Sequence, residues 1–142
     1  MTLTSLANRV KQGLLDAVPV DPLRIERMVA AARQQLDDAM TTEVSDETRF
    51  DCAYNAIRMI ADVALLRLGY RTLASKGGHH RTAIECLEHT LAVDAASLRT
   101  LDALRRQSNG SNYDGDGVTG KALTECIEQA RAMMARFEVA SK

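Results

Sequence analysis

The chain has no tryptophan, only three tyrosines and two phenylalanines, and only two prolines in 142 residues. So few aromatics leave little with which to build a sheet-based core, whereas abundant Ala and Leu favour helices packed through aliphatic side chains. No apolar run approaches the roughly 18 residues that a membrane-spanning helix needs. The stretch from Met1 to Leu15 shows a helix-like alternation with neither a continuous apolar block nor a small-residue cleavage site, so a cytoplasmic location is expected. Charge of one sign is also lacking. The formal net charge is −1, which removes any global electrostatic argument for nucleic acid and leaves only a local basic face. Three widely separated cysteines, Cys52, Cys86 and Cys126, offer no close-spaced pair for zinc and read as buried free thiols.

What is present is ordinary for a folded protein: 46% hydrophobic and 26% charged residues over one domain's length. Leu6, Val10, Leu14 and Val18 recur at helical spacing, predicting a first helix from Ser5 to Val18 that Pro19 ends. Asp21-Pro22 combines an N-cap with Pro at the first helical position. The second helix then carries a stripe of Ile25, Met28, Val29, Ala32, Leu36 and Met40. Ser45 caps a third helix, with Asp46 and Glu47 at the positive end of its dipole. From Phe50 to Leu68 that helix is apolar almost all round, as suits the centre of a bundle.

The exception on the third helix is a line of Asp51, Asn55, Arg58 and Asp62, spaced to share one face. It is either a solvated, salt-bridged strip or a polar groove in a dimer or ligand surface. Gly69 closes the helix, and a loop over Ala74–Gly78 leads to His79-His80. A fourth helix carries Ile84, Leu87 and Leu91. Asp94 caps a fifth with Leu98, Leu101 and Leu104, and Asn109–Gly117 reads as a turn-rich break. Thr119 caps a last helix with Leu123, Ile127, Ala130, Met134 and Phe137. No alternating strand pattern and no repeat are visible. The expectation is an all-α chain: a single up-and-down-type bundle of five to six helices over residues 1–142, largely antiparallel because its connections are short.

Several residues qualify as sites. His79-His80-Arg81 follow two glycines at a helix start, where exposed amides suit an anion and Lys76 adds charge; a loop with merely solvated histidines is the alternative. Adjacent histidines diverge on a helix, so no metal is assigned. Asn112-x-Asp114-x-Asp116-Gly117 imitates half of a calcium loop, but Leu123 stands where the bidentate Glu belongs, leaving an Asp-Gly turn. No P-loop, dinucleotide glycine pattern or Ser/His/Asp grouping occurs, so no cofactor is expected. Glu85, Glu88 and His89 read as a solvated face.

Two segments carry a family likeness. Asp51–Leu87, "DCAYNAIRMIADVALLRLGYRTLASKGGHHRTAIECL", and Leu101–Ala122, "LDALRRQSNGSNYDGDGVTGKA", resemble HEPN domains (higher eukaryotes and prokaryotes nucleotide-binding). The likeness lies in the order of features: an "AYNA"-like helix closing at Gly, a Gly-His loop, a helix, then an Asn…Tyr segment before the last helix. It covers residues 45–138. The resemblance implies a helical homodimer, a nucleotidyltransferase-like protein partner in a toxin–antitoxin-type system, and RNA or nucleotide as ligand.

Many HEPN proteins cut RNA without a metal, using an Arg followed by four to six residues and a His. On that pattern Ser108 stands in place of Arg and Tyr113 in place of His, while Asn109 matches the Asn that follows the Arg. No His occurs after His89. A phenol that ionises near pH 10 is a poor proton shuttle. The departure implies a non-catalytic domain that binds a protein partner, RNA or a nucleotide. Arg58, Lys76, His80, Arg81, Arg105, Arg106, Asn109 and Tyr113 are the ligand-binding candidates, with Tyr113 either packed on the bundle or stacked on a base. The alternatives are a surviving endoribonuclease toxin drawing on His79, His80, Arg105, Arg106 or Tyr113, and a purely structural helical module.

Overall fold

A computed structural model describes residues 2–73, 78–114 and 117–142, with side chains over 5–73, 78–109 and 117–142. The fold is an all-α bundle with one small two-stranded sheet. In chain order the elements are α1 (Thr2–Lys11), β1 (Leu15–Ala17), α2 (Pro22–Ala39), α3 (Asp46–Arg67), β2 (Tyr70–Thr72), α4 (His79–Glu85), α5 (Leu87–Thr90), α6 (Ala95–Asp114) and α7 (Gly120–Ala140).

α3 forms the axis. Phe50, Ala53, Ala56, Ile57, Ala61, Ala64 and Leu65 are fully buried, and each large aliphatic or aromatic side chain so placed contributes about 1.5–3 kcal/mol. The alanines let neighbouring helices approach closely. α2 packs on α3 in the opposite direction: Arg49 Nε donates to the Ala39 carbonyl at 2.9 Å at one end, and Ile25 and Leu66 share a cavity at the other. α7 runs parallel to α3. Cys126 meets Phe50 near their starts, and Arg67 Nη1 reaches the Ala140 carbonyl near their ends. α6 returns antiparallel to α7, with Arg136 Nη2 3.8 Å from the Asp94 carboxylate.

The helix starts follow the expected capping chemistry. Asp21, Ser45 and Thr119 have extended backbones, and their side chains accept from the amides of Arg24, Thr48 and Ala122 respectively, each such bond stabilising its helix by about 1 kcal/mol. Asp94 accepts from the Ser97 amide at 3.1 Å.

Four expectations are corrected. The first helix stops at Lys11, not Val18. Gly13 has φ +76 and donates to the Val10 carbonyl, while Leu14 N donates to Arg9 O at 2.9 Å, a left-handed glycine closure that turns the chain out of the helix. A sheet therefore forms where none was expected: β1 pairs antiparallel with β2, Asp16 opposite Arg71. Leu15, not Leu14, enters the core, with exposures of 2% and 38%. The fourth helix is two short ones divided at Cys86. The backbone of α6 stays helical through Asn109 as far as Asp114, so the break expected there begins later. Asp116 of the imitation calcium loop lies outside the described residues.

Candidate functional site

The polar line on α3 and the histidine pair on α4 meet. Arg58 Nη1 lies 3.1 Å from His80 Nε2, and Arg58 Nη2 donates to Asn55 Oδ1 at 3.4 Å. A guanidinium has no acceptor, so this contact is a hydrogen bond only while Nε2 of His80 is unprotonated. Burial, then the charges of Arg58 and His79, push the His80 imidazole down to about 4. The rings of His79 and His80 are edge-to-face with centroids 4.1 Å apart. Behind them Asp62 is raised above the usual carboxylate range by burial, against the pull of Arg58 and His79.

In front of the histidines is a notch of about 170 Å³ lined by Tyr54, Gly78, His79, His80, Arg81, Arg105 and Asn109. Among the described residues, no carboxylate lines it. Tyr54 comes from α3, where it is buried, and it forms part of the notch wall. Burial raises that phenol, while the charges of Arg105 and Arg58 pull it back. Arg105 is held on α6 by Asp102, with Nη2 to Oδ1 at 3.0 Å. Burial acts to raise Asp102, but the bonds and charges of Arg105 and Arg106 outweigh it and hold the carboxyl below its ordinary range. Arg81 is tied to Glu85 at 2.9 Å. Among the described residues, Arg58 enters no salt bridge.

Arg81 also borders a second, larger cavity of about 420 Å³ between α1, α4, α5 and α6. Its rim is Arg9, Arg99, Arg106, Glu85, Glu88 and Asp102, and its floor includes Ile84 and Leu98. Its charges nearly balance.

Of the residues singled out from sequence, Arg81, Arg105, Asn109, His79 and His80 line one notch, and Arg58 backs it. Arg106 does not join them: its guanidinium turns to Asp102 at 2.7 Å and borders the larger cavity. Asp51, though on the polar line, is absent from the notch lining. Its carboxyl is raised by burial and by Glu47. Lys76 lies outside the described residues, as does the Tyr113 side chain. α4 has only seven residues and Gly78 supplies no side-chain cap, so an anion here depends on side chains more than on a helix dipole. Sequence reasoning missed Tyr54, which hides in an apolar run; its position one turn before Arg58 was the available signal.

Ser108 is buried on α6. Among the described residues no three His, Cys, Asp or Glu side chains group as metal ligands, and no helix is long and apolar enough to cross a membrane. No family model matches the chain, and no curated protein or solved structure shows significant similarity to it.

Proposed function

We propose that this chain is a non-catalytic helical domain that binds a phosphate-bearing ligand, RNA or a nucleotide, in the notch between α3, α4 and α6. One observation carries the reading: among the described residues, Arg81 and Arg105 line a small notch without a carboxylate, and Arg58 sits behind His80 with hydrogen bonds to the neutral side chains of His80 and Asn55. Guanidinium groups match phosphate oxygens in geometry and charge. Asn109 supplies an amide, and Tyr54 a phenol, for further hydrogen bonds. Arg81 and Arg105 keep carboxylate partners, Glu85 and Asp102, so of these three, among the described residues, Arg58 is the cation without one that this nearly neutral chain offers to a polyanion.

The absent Arg–His motif supports a binding role over cleavage. As the resemblance implies, the domain is read as a homodimer with a nucleotidyltransferase-like protein as a further partner, and as the N-terminal pattern suggests, a cytoplasmic one.

The test is fluorescence anisotropy with a labelled single-stranded oligoribonucleotide and a labelled nucleoside monophosphate at low salt. Hydrogen bonds to a charged group contribute about 1.5–3 kcal/mol, so Arg58→Ala and Arg105→Ala should each weaken binding about tenfold or more. Arg33→Ala, in an exposed ion pair with Glu138, should leave it unchanged. Failure of both ligands to bind, or equal losses in all three variants, would end this reading.

A further inference from the structure

We propose that the notch takes up a proton together with its anion: ligand binding protonates His80 and releases Arg58 from the ring to bond the ligand. The inference rests on the phosphate-site reading above and concerns how that site is regulated.

The argument begins with the 3.1 Å contact between Arg58 Nη1 and His80 Nε2. A permanently charged donor occupies the lone pair of the ring, so the empty site favours neutral imidazole. The groups around His80 on the packed elements act mostly in the same direction. From α3 come Arg58 and the phenol of Tyr54, with Asp62 behind; from α4 come His79 and Arg81; from α6 comes Arg105, held by Asp102. Arg71 of β2 faces Asp16 instead, Glu85 is engaged by Arg81, and Glu88 and His89 of α5 lie against each other. Burial of the ring adds to the bias.

A dianion placed in the notch reverses these signs. It screens the neighbouring cations from the ring and rewards a new positive charge beside it. Once Nε2 carries a proton it no longer accepts from Arg58. The guanidinium then presents the donor it had spent on the ring, and the imidazolium presents a new one at Nε2. Proton and anion are coupled, so each raises the affinity for the other by the same factor. The direction follows: the ring ionises at higher pH in the complex than in the free protein, so anion affinity climbs as pH falls through the bound-state value and levels off near the free-state one.

Sulfate is a suitable probe because it stays doubly charged across the range of interest. Calorimetry on the full chain should show binding at least about tenfold tighter near pH 5 than near pH 8, as the ring returns toward the ordinary 6.5 in the complex. Repeating the titration near pH 6 in two buffers of different ionisation enthalpy should reveal uptake of about one proton per sulfate. His80→Gln, which keeps an acceptor for Arg58 but takes no proton, should bind sulfate with less than about a twofold pH effect. Asp62→Asn separates the alternative that loss of the nearby carboxylate charge drives the change. It should retain the full dependence.

Sulfate bound equally well at all pH values, or a dependence kept by His80→Gln and lost by Asp62→Asn, overturns the coupling while leaving the anion site intact. No sulfate binding at any pH would remove both.

Discussion

Cys126 Sγ lies 3.8 Å from the carbonyl oxygen of Phe50, and both side chains are fully buried. This contact fixes the start of α7 against the start of α3. It also places the thiol where ionisation is costly. Burial, with a smaller push from Asp51, raises Cys126 to about 12, and burial raises Cys86 to about 11. Only Cys52 is partly exposed, and it too is raised by burial. Since the thiolate is the reactive form, iodoacetamide at neutral pH should modify at most Cys52 in the folded protein, and slowly. All three cysteines should react in denaturant. Mass spectrometry after each treatment reads the count, and labelling of Cys126 in the native state would contradict this packing.

Backbone handedness at two turns gives a paired stability prediction. Gly69 has φ +88, and a Cβ there would sit 3.3 Å from the Val18 carbonyl, in the same turn where Val18 N bonds Gly69 O at 2.8 Å. Gly69→Ala should cost about 1–2 kcal/mol from the left-handed backbone alone. Ala92 has φ 54 in the opposite situation, an alanine at a left-handed helix end, with Val93 N closing onto Leu87 O. Ala92→Gly should gain about 0.5–1 kcal/mol, the relief of strain less the added freedom of the unfolded chain. Urea midpoints of the two variants should move in opposite directions.

The long elements were legible because periodicity and caps agree. The stripe after Asp21-Pro22, the nearly all-apolar stretch after Ser45 and the run after Thr119 each combine an N-cap with apolar spacing that only a helix satisfies. The first connection misled because Leu14 and Val18 continue the spacing of Leu6 and Val10. Gly13 was the contrary signal, and a left-handed glycine overrides an apolar stripe. Tyr70–Thr72 gained strand geometry from its partner, Leu15–Ala17, 55 residues away, which no local pattern announces. The candidate notch was half legible. Spacing placed Asn55, Arg58 and Asp62 on one face, but nothing in the chain order says that this face meets His80.

Asp62 provides a pH test of that buried polar strip. Its carboxyl is raised from the ordinary 3.8, burial outweighing the attraction of Arg58 and His79. A raised acid favours folding in its protonated form. Its contribution is therefore complete below the unfolded value near 3.8 and is lost as pH rises through the higher folded-state value. At neutral pH the ionised group is a net burden on the fold. Asp62→Asn should thus be more stable than the parent at pH 7, with the advantage shrinking to nothing below about pH 3.8. Thermal melts at several pH values measure this, and a variant less stable at pH 7 would show that the attraction of Arg58 and His79 outweighs the burial.

The histidines set the terms for any hydrolytic chemistry. General acid–base catalysis works best when the shuttle ionises near the working pH. In the empty notch His80 is held near 4 with Nε2 engaged by Arg58. A bound anion would return the ring toward 6.5, so what argues against cleavage is the departure from the Arg–His pattern, with Ser108 and Tyr113 in those places. Purified protein should therefore leave a labelled RNA uncut at neutral pH, while the anisotropy signal still reports binding. Cleavage by the parent that vanished in the His79→Ala, His80→Ala double variant would restore the ribonuclease reading. It would assign the chemistry to this notch, with Arg105 as the phosphate-facing cation, since Arg105 lines the notch whereas Arg106 borders the other cavity.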